Sequence, residues 1–188
     1  MNIHLFLYDK FADFEISQAL LLLRDHNLTT VGFETGLVNA ISNLFVDAEI
    51  SIEEFEPNRT DIFIIPGGEP KNFIRDEKYS EKIINLNKKL IEMKNQGKIV
   101  AAICGGPTFL ANAGALDYVT CTSSKNEDEN IFYEKAKFTD SDLEIDNNII
   151  TAKGNAFTEF AVAIAKKARI LKTDKEAQEA IDWLRNKK

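Results

Sequence analysis

The chain has 188 residues, 23 Lys and Arg against 30 Asp and Glu for a net charge of −7, and 44% hydrophobic residues. That length and composition fit a single folded domain over 1–188. The acidic balance argues against a basic surface for nucleic acid or anionic lipid, and it leaves small molecules and proteins as partners.

In chain order, residues 2–9 (NIHLFLYD) are a near-continuous apolar run, which predicts a strand buried on both faces. The run is too short for a signal peptide, and no stretch approaches the roughly 20 apolar residues of a membrane span, so a cytoplasmic protein is expected. A helix follows, with Asp13 as N-cap, apolar residues at Ile16, Ala19, Leu20 and Leu23, and Asn27 as its end. Leu28–Thr35 reads as a strand, and residues 37–55 read as a small hairpin turning at Ser42-Asn43. Asp61–Ile65 is another strand, stopped by Pro66-Gly67-Gly68 and a loop. Tyr79–Gln96 has helical spacing with Gly97 at the position after its end. Lys98–Ile103 is a buried strand, and Cys104-Gly105-Gly106-Pro107 opens a helix through Phe109, Leu110 and Ala113. Tyr118–Thr122 reads as a strand, Ser123–Tyr133 is polar, and Leu143–Ile145 with Ile149–Ala152 form a hairpin around Asn147-Asn148. Helices over Thr158–Leu171 and Asp174–Arg185 close the chain. Apolar strands alternating with helices predict the α/β class, a mostly parallel sheet covered on both faces. Ligands of such sheets sit at the carboxyl ends of the strands: Asp9 onward, Pro66-Gly67-Gly68, Cys104-Gly105-Gly106 and Thr122 onward.

Four of the nine Gly fall in two pairs at those ends, Gly67-Gly68 and Gly105-Gly106. AICGG has the small-x-nucleophile-x-small form of a strand-to-helix elbow, which needs residues without bulk on both sides of the side chain it presents. Here that side chain is the Cys104 thiol. Pro107 fits the first helical position, and the helix start behind Cys104 is expected to lower the thiol pKa. A small buried hydrophobe is the other account of Cys104, but it gains nothing from a Gly-Gly-Pro turn. Cys121, in VTCT, is read as buried in a strand. In acyl chemistry an oxyanion is held by two backbone N–H groups, and Gly105 and Gly68 are placed to supply them; a tight turn alone also explains Pro66-Gly67-Gly68. Glu15 lies in line with Ala19 and Leu22, so partial burial raises its pKa and lets it exchange a proton with a thiol. An ordinary acidic residue of the first helical turn accounts for Glu15 equally well.

Histidine is the missing element. His4 lies inside the first strand and His26 at the far end of the first helix, so no Cys–His dyad is expected. Two Cys make no CxxC and no disulfide framework, which suits a reducing cytosol. There is no GxGxxG, P-loop or HExxH, and Asp128–Asn130 reads as solvated loop, so neither cofactor nor metal is expected.

Four segments together resemble the ThiJ/PfpI family of the class I glutamine amidotransferase-like superfamily: LYDKFADFE, DIFIIPGGEP, IVAAICGGPTFLANAGAL and NNIITAKGNAFTEFAVAI. The resemblance implies a flavodoxin-like three-layer sandwich, usually a homodimer. It also implies a nucleophilic Cys104, Glu15 hydrogen-bonded to it, and the two N–H groups named above. Many relatives carry a His directly after the nucleophile, where this chain has Gly105; others carry one on the following strand, where it has Thr122. What the resemblance leaves is a Cys104–Glu15 pair. Without either His the protease or amidase triad usual in the family is incomplete, and similar proteins link such pairs to glyoxalase-like chemistry on reactive carbonyls, to hydration of small electrophiles and to oxidation of the Cys to a sulfinate. The function expected is an amidase/protease-like or glyoxalase-like cysteine enzyme acting on a small carbonyl or amide, with a stress-protective redox sensor as the alternative.

Overall fold

Apolar runs with no polar face have to be covered on both sides, and in the computed structural model, which describes residues 1–186, they form the middle of a sheet. The strands are β1 (Asn2–Leu7), β2 (Asn27–Gly32), β3 (Gly36–Asn39), β4 (Phe45–Ala48), β5 (Ile50–Ser51), β6 (Ile62–Ile65), β7 (Ile99–Ile103), β8 (Thr120–Cys121), β9 (Lys137–Phe138), β10 (Leu143–Asp146) and β11 (Ile149–Ala152). The helices are α1 (Ser17–Leu22), α2 (Pro70–Ile74), α3 (Ser80–Asn95), α4 (Pro107–Asn112), α5 (Phe157–Lys167) and α6 (Asp174–Leu184). The main sheet has the order β10-β11-β7-β6-β1-β2-β5. Only β10 and β11 pair antiparallel; every other neighbouring pair is parallel.

All four residues of β6 are buried, as are Val100 to Ile103 of β7, because helices cover both faces. α1 packs on α5, which carries α6, while α2, α3 and α4 pack on one another. α3 turns Ile83, Leu86, Leu90 and Met93 inward, the spacing of one helical face. This is the mostly parallel α/β, flavodoxin-like arrangement expected. The chain runs from β1 out to β2 and β5, then returns to the other side of β1 as β6, so the order reverses between β1 and β6. The crevice at that reversal lies between the loops that follow Leu7 and Ile65.

Several expectations are corrected. Asp13 does not cap a helix containing Glu15: residues Asp13–Glu15 form a 3-10 turn, α1 starts at Ser17, and the Asp13 carboxylate accepts a bond from the Ser42 hydroxyl (2.6 Å). The loop after Gly68 contains α2, with Pro70 at its first position. The hairpin at Ser42-Asn43 is β3–β4, with Asn43 at φ 66, while β5 joins the main sheet as its edge. β8 leaves the main sheet and pairs with β9. The Asp146 carboxylate and the Thr151 hydroxyl accept the N–H groups of Thr120 (2.8 Å) and Thr122 (3.0 Å), so side chains rather than a ladder dock β8. The polar stretch after it folds as a 3-10 helix, Glu127–Tyr133.

Candidate active site

β7 ends at Ile103 and α4 starts at Pro107, so the chain reverses within Cys104 to Gly106. Cys104 sits at φ 59, a left-handed conformation that costs a non-glycine residue about 1–3 kcal/mol. Its neighbours hold it there. Its N–H donates to the Ala152 carbonyl (2.8 Å), and its own carbonyl accepts from the Ser124 N–H (2.8 Å) and the Ser123 hydroxyl (2.7 Å). A Cβ at Gly105 would stand 2.3 Å from the Gly68 carbonyl oxygen, so the elbow packs on the β6 loop only with glycine there. The elbow read from AICGG is present.

Glu15 reaches the same point from the turn after β1. It is 2% exposed, its Oε2 accepts the Gly67 N–H (3.0 Å), and its carboxylate accepts a hydrogen bond from the Cys104 thiol. Burial raises the Glu15 pKa, and the bonds from Cys104 and Gly67 pull it back. Burial also pushes the Cys104 thiol up, to about 12, assisted by the Glu15 charge and opposed by the Gly105 N–H and the Ser124 hydroxyl. The expected lowering by the helix start is overturned. A helix dipole contributes about 0.3–1 kcal/mol, less than one pKa unit, against a rise from 9.0 to about 12. Burial therefore favours the neutral thiol beside the carboxylate.

Gly68, at φ 140, lies beside Gly105. Tyr8 fixes this loop from beneath, its hydroxyl donating to the Pro66 carbonyl (2.9 Å). The Gly105 N–H is directed at Cys104 Sγ, and the Gly68 N–H has no partner among the described residues. Both imidazoles are elsewhere. His4 shares a hydrogen bond with Thr60 Oγ1 (3.1 Å) and packs edge-on against Phe55, and burial lowers its pKa. His26 precedes Asn27, where β2 starts beside Asn2 at the amino ends of the strands. Cys121 is fully buried, its thiol pushed by burial to about 11. Asp128 pairs with Arg75 (2.8 Å) and Lys71 (3.2 Å), and buried Glu129 accepts the Asn126 N–H (2.6 Å). Those acidic residues anchor a loop. Among the described residues, no cluster of three or more His, Cys, Asp or Glu is placed to hold a metal.

Two contributors escaped the sequence reading. Ser124 donates its N–H to the Cys104 carbonyl (2.8 Å) and its hydroxyl helps to hold the thiol pKa down, and nothing in a polar run distinguishes it. Gly154 follows β11, and its N–H donates to Ser124 Oγ (3.0 Å); a Cβ there would lie 2.8 Å from Glu15 Oε1 and 3.1 Å from Cys104 Sγ. Its signal was available, because it too is a glycine just past a strand. A cavity of about 400 Å³ lined by Tyr8, Phe33, Phe73 and Tyr79 opens at the ends of β1 and β2, but neither Cys104 nor Glu15 lines it.

A half-buried thiol on a strand-to-helix elbow, paired with a buried carboxylate beside the reversal point of a parallel sheet, defines a cysteine-centred class of α/β proteins. Residues 1–167 match the DJ-1/PfpI family, and the chain belongs to it. It is 26% identical over 155 residues to a protein of Thermococcus kodakarensis named deglycase TK1284, covering 81% of this chain and 90% of that protein. It is 31% identical over 159 residues to the uncharacterized protease YoaZ of Bacillus subtilis, covering 78% and 69% respectively. In fold it is similar to a thiJ/pfpI family protein from Bacillus anthracis, with a TM-score of 0.81 and 24% identity over 100% of this chain and 91% of that one. Among the described residues, no helix is long and apolar enough to cross a membrane.

Proposed function

We propose that this protein is a cysteine-dependent enzyme acting on small carbonyl compounds. In this reading Cys104 is the nucleophile, Glu15 takes and returns the proton, and the N–H groups of Gly68 and Gly105 hold the oxyanion. The observation that carries it is the buried Glu15 carboxylate set against the thiol at the elbow, the two converging on Gly67 and Gly154, with both imidazoles elsewhere.

Attack forms an S–C bond while the C=O π pair moves onto oxygen. The thiol proton passes to Glu15 and from there to that oxygen, giving a hemithioacetal. The pair holds one proton and one negative charge throughout, so the buried site gains no net charge, whereas a full thiolate beside an ionised Glu15 would add one. With a 2-oxoaldehyde, Glu15 then removes the proton from the carbon bearing sulfur and delivers it to the neighbouring carbon. One carbon is oxidised to a thioester as its neighbour is reduced to an alcohol, and water releases the 2-hydroxy acid without any external oxidant. Amide cleavage asks for more, because an amine must leave protonated and Glu15 alone serves both steps. The relatives named deglycase and protease support an enzyme-like function at the level of the family only.

Turnover of methylglyoxal and of a simple amide by wild type and Cys104→Ser tests the reading. Loss of methylglyoxal turnover in the variant is expected, and equal rates would overturn it. A second reading, a peroxide sensor whose output is oxidised Cys104, is favoured by the same lack of imidazole; mass spectrometry after mild peroxide should then show oxygen on Cys104 before Cys121. We infer a homodimer from a mostly apolar groove of about 330 Å³ lined by residues including Phe14, Leu20, Leu28 and Leu44, since Phe14 and Leu44 are 54% and 56% exposed.

A further inference from the structure

The cavity at the ends of β1 and β2 lies apart from the Cys104 pair, and its lining has a chemistry of its own. At about 400 Å³ it falls within the size of small-molecule sites. Phe33 has its ring centroid 5.4 Å from that of Phe73 and 5.0 Å from that of Tyr79, and the last two lie 5.1 Å apart. Each ring is held by the other two, so this wall is formed before anything binds, which lowers the cost of binding. Tyr8 adds a fourth ring but no free hydroxyl proton, because its O–H donates to the Pro66 carbonyl (2.9 Å). Phe45, also in the lining, is 61% exposed and offers apolar surface for a ligand to cover.

The polar groups of the lining fall into two sets. Asp9 and Asn39 come together because the Lys10 N–H donates to the Asn39 carbonyl (2.7 Å), which ties the loop after β1 to the end of β3. The Asp9 side chain makes no ion pair and accepts no hydrogen bond among the described residues, and Asn39 Oδ1 is buried without a partner. Lys78 enters from the turn before α3, its ammonium 5.0 Å from the centre of the Tyr79 ring and without an ion pair among the described residues. Glu34, the remaining charge of the lining, is paired with Lys82.

We propose that this cavity binds a small aromatic zwitterion of the amino-acid type, its ring against Phe33, Phe73 and Tyr79, its ammonium on Asp9 and Asn39 Oδ1, and its carboxylate on Lys78. Two open charges of opposite sign in a ring-lined cavity call for a ligand that carries both. A purely apolar ring would leave both charges and the amide oxygen unpartnered, and an amine or a carboxylate alone would satisfy only one set. A buried acceptor without a donor is uncommon in folded proteins, and an ammonium has three N–H groups to give. The faces of the rings favour the same ammonium.

Isothermal titration calorimetry with L-phenylalanine, phenethylamine and 3-phenylpropionate reads the contacts separately. L-Phenylalanine is expected to bind most tightly, and each of the others, lacking one charge, about tenfold more weakly, the worth of one charge-assisted hydrogen bond. Asp9→Asn should weaken L-phenylalanine about tenfold and leave 3-phenylpropionate unchanged. Lys78→Met should weaken L-phenylalanine by a similar factor and leave phenethylamine unchanged. Both positions are exposed, so thermal unfolding of the variants should match wild type. Cys104→Ser should bind L-phenylalanine as wild type does, because Cys104 does not line the cavity. No binding of L-phenylalanine, equal affinity for the three probes, or a variant that weakens all three alike would overturn the proposal. So would loss of binding in Cys104→Ser, which would put the ligand at the thiol instead.

Discussion

Glu15 is a carboxylate whose usefulness and whose effect on stability have opposite signs. Its folded pKa lies above 4.5 because of burial, so ionisation favours the unfolded chain. The stability it contributes is present below pH 4.5 and is lost as pH rises through the folded value. Glu15→Gln is therefore expected to raise the Tm at pH 7 relative to wild type and to change it little at pH 4, measured by thermal unfolding at both. A variant less stable at pH 7 would contradict the sign. His4 works in the other direction. Burial lowers its pKa from 6.5, so its stabilising effect is present above pH 6.5 and lost as pH falls through the folded value. In His4→Gln, the fall in Tm between pH 7 and pH 5 should be smaller than in wild type. At this scale the sequence was legible where the constraint is local. An elbow needs residues without bulk within two positions of Cys104, and that pattern is written in five letters. The acidity of the thiol was not legible, because it depends on burial beneath loops from three separate strands, and neither was Ser124, whose N–H only the fold brings to the Cys104 carbonyl.

Among the elements, the strand ends do the positioning, and the end of β11 tests it. Gly154 has no need of a left-handed backbone, so Gly154→Ala is a matter of space alone: its Cβ would stand 2.8 Å from Glu15 Oε1 and 3.1 Å from Cys104 Sγ. Turnover of methylglyoxal is expected to fall on the order of 10²-fold, the cost of a misplacement near 1 Å, with the far-ultraviolet circular dichroism unchanged. Turnover at the wild-type level would mean that the pair tolerates separation. Continuous apolar runs located β1, β6 and β7, and helical spacing located α3 and α5, since burial imposes those periods on the sequence itself. α2 was missed because five residues hold too little of a period, and β8 was placed in the wrong sheet because side-chain docking by Asp146 and Thr151 leaves no mark on its own residues.

At the scale of the whole molecule, the sheet reversal between β1 and β6 gathers Glu15, Gly67, Gly68 and Cys104 at one end, while the groove lined by Phe14, Leu28 and Leu44 includes none of them in its lining. If a second copy covers that groove, sedimentation of wild type gives a dimer, and Leu44→Glu, which sets a charge in the apolar contact, gives a monomer; a wild-type monomer would remove the homodimer. The fold class was legible from the alternation of strands and helices alone, whereas the pairing of a carboxylate on one strand end with a thiol on another was one of two equal accounts of Glu15 until the family resemblance favoured it, because sequence separation hides the contact. That pairing is the centre of the account. Its most direct measurement is kcat/KM for methylglyoxal in Glu15→Gln against wild type, with unfolding confirming that both are folded. Removal of the proton acceptor is expected to lower it by about 10²–10⁴-fold, the usual worth of a positioned acid–base group. An unchanged kcat/KM would contradict the account.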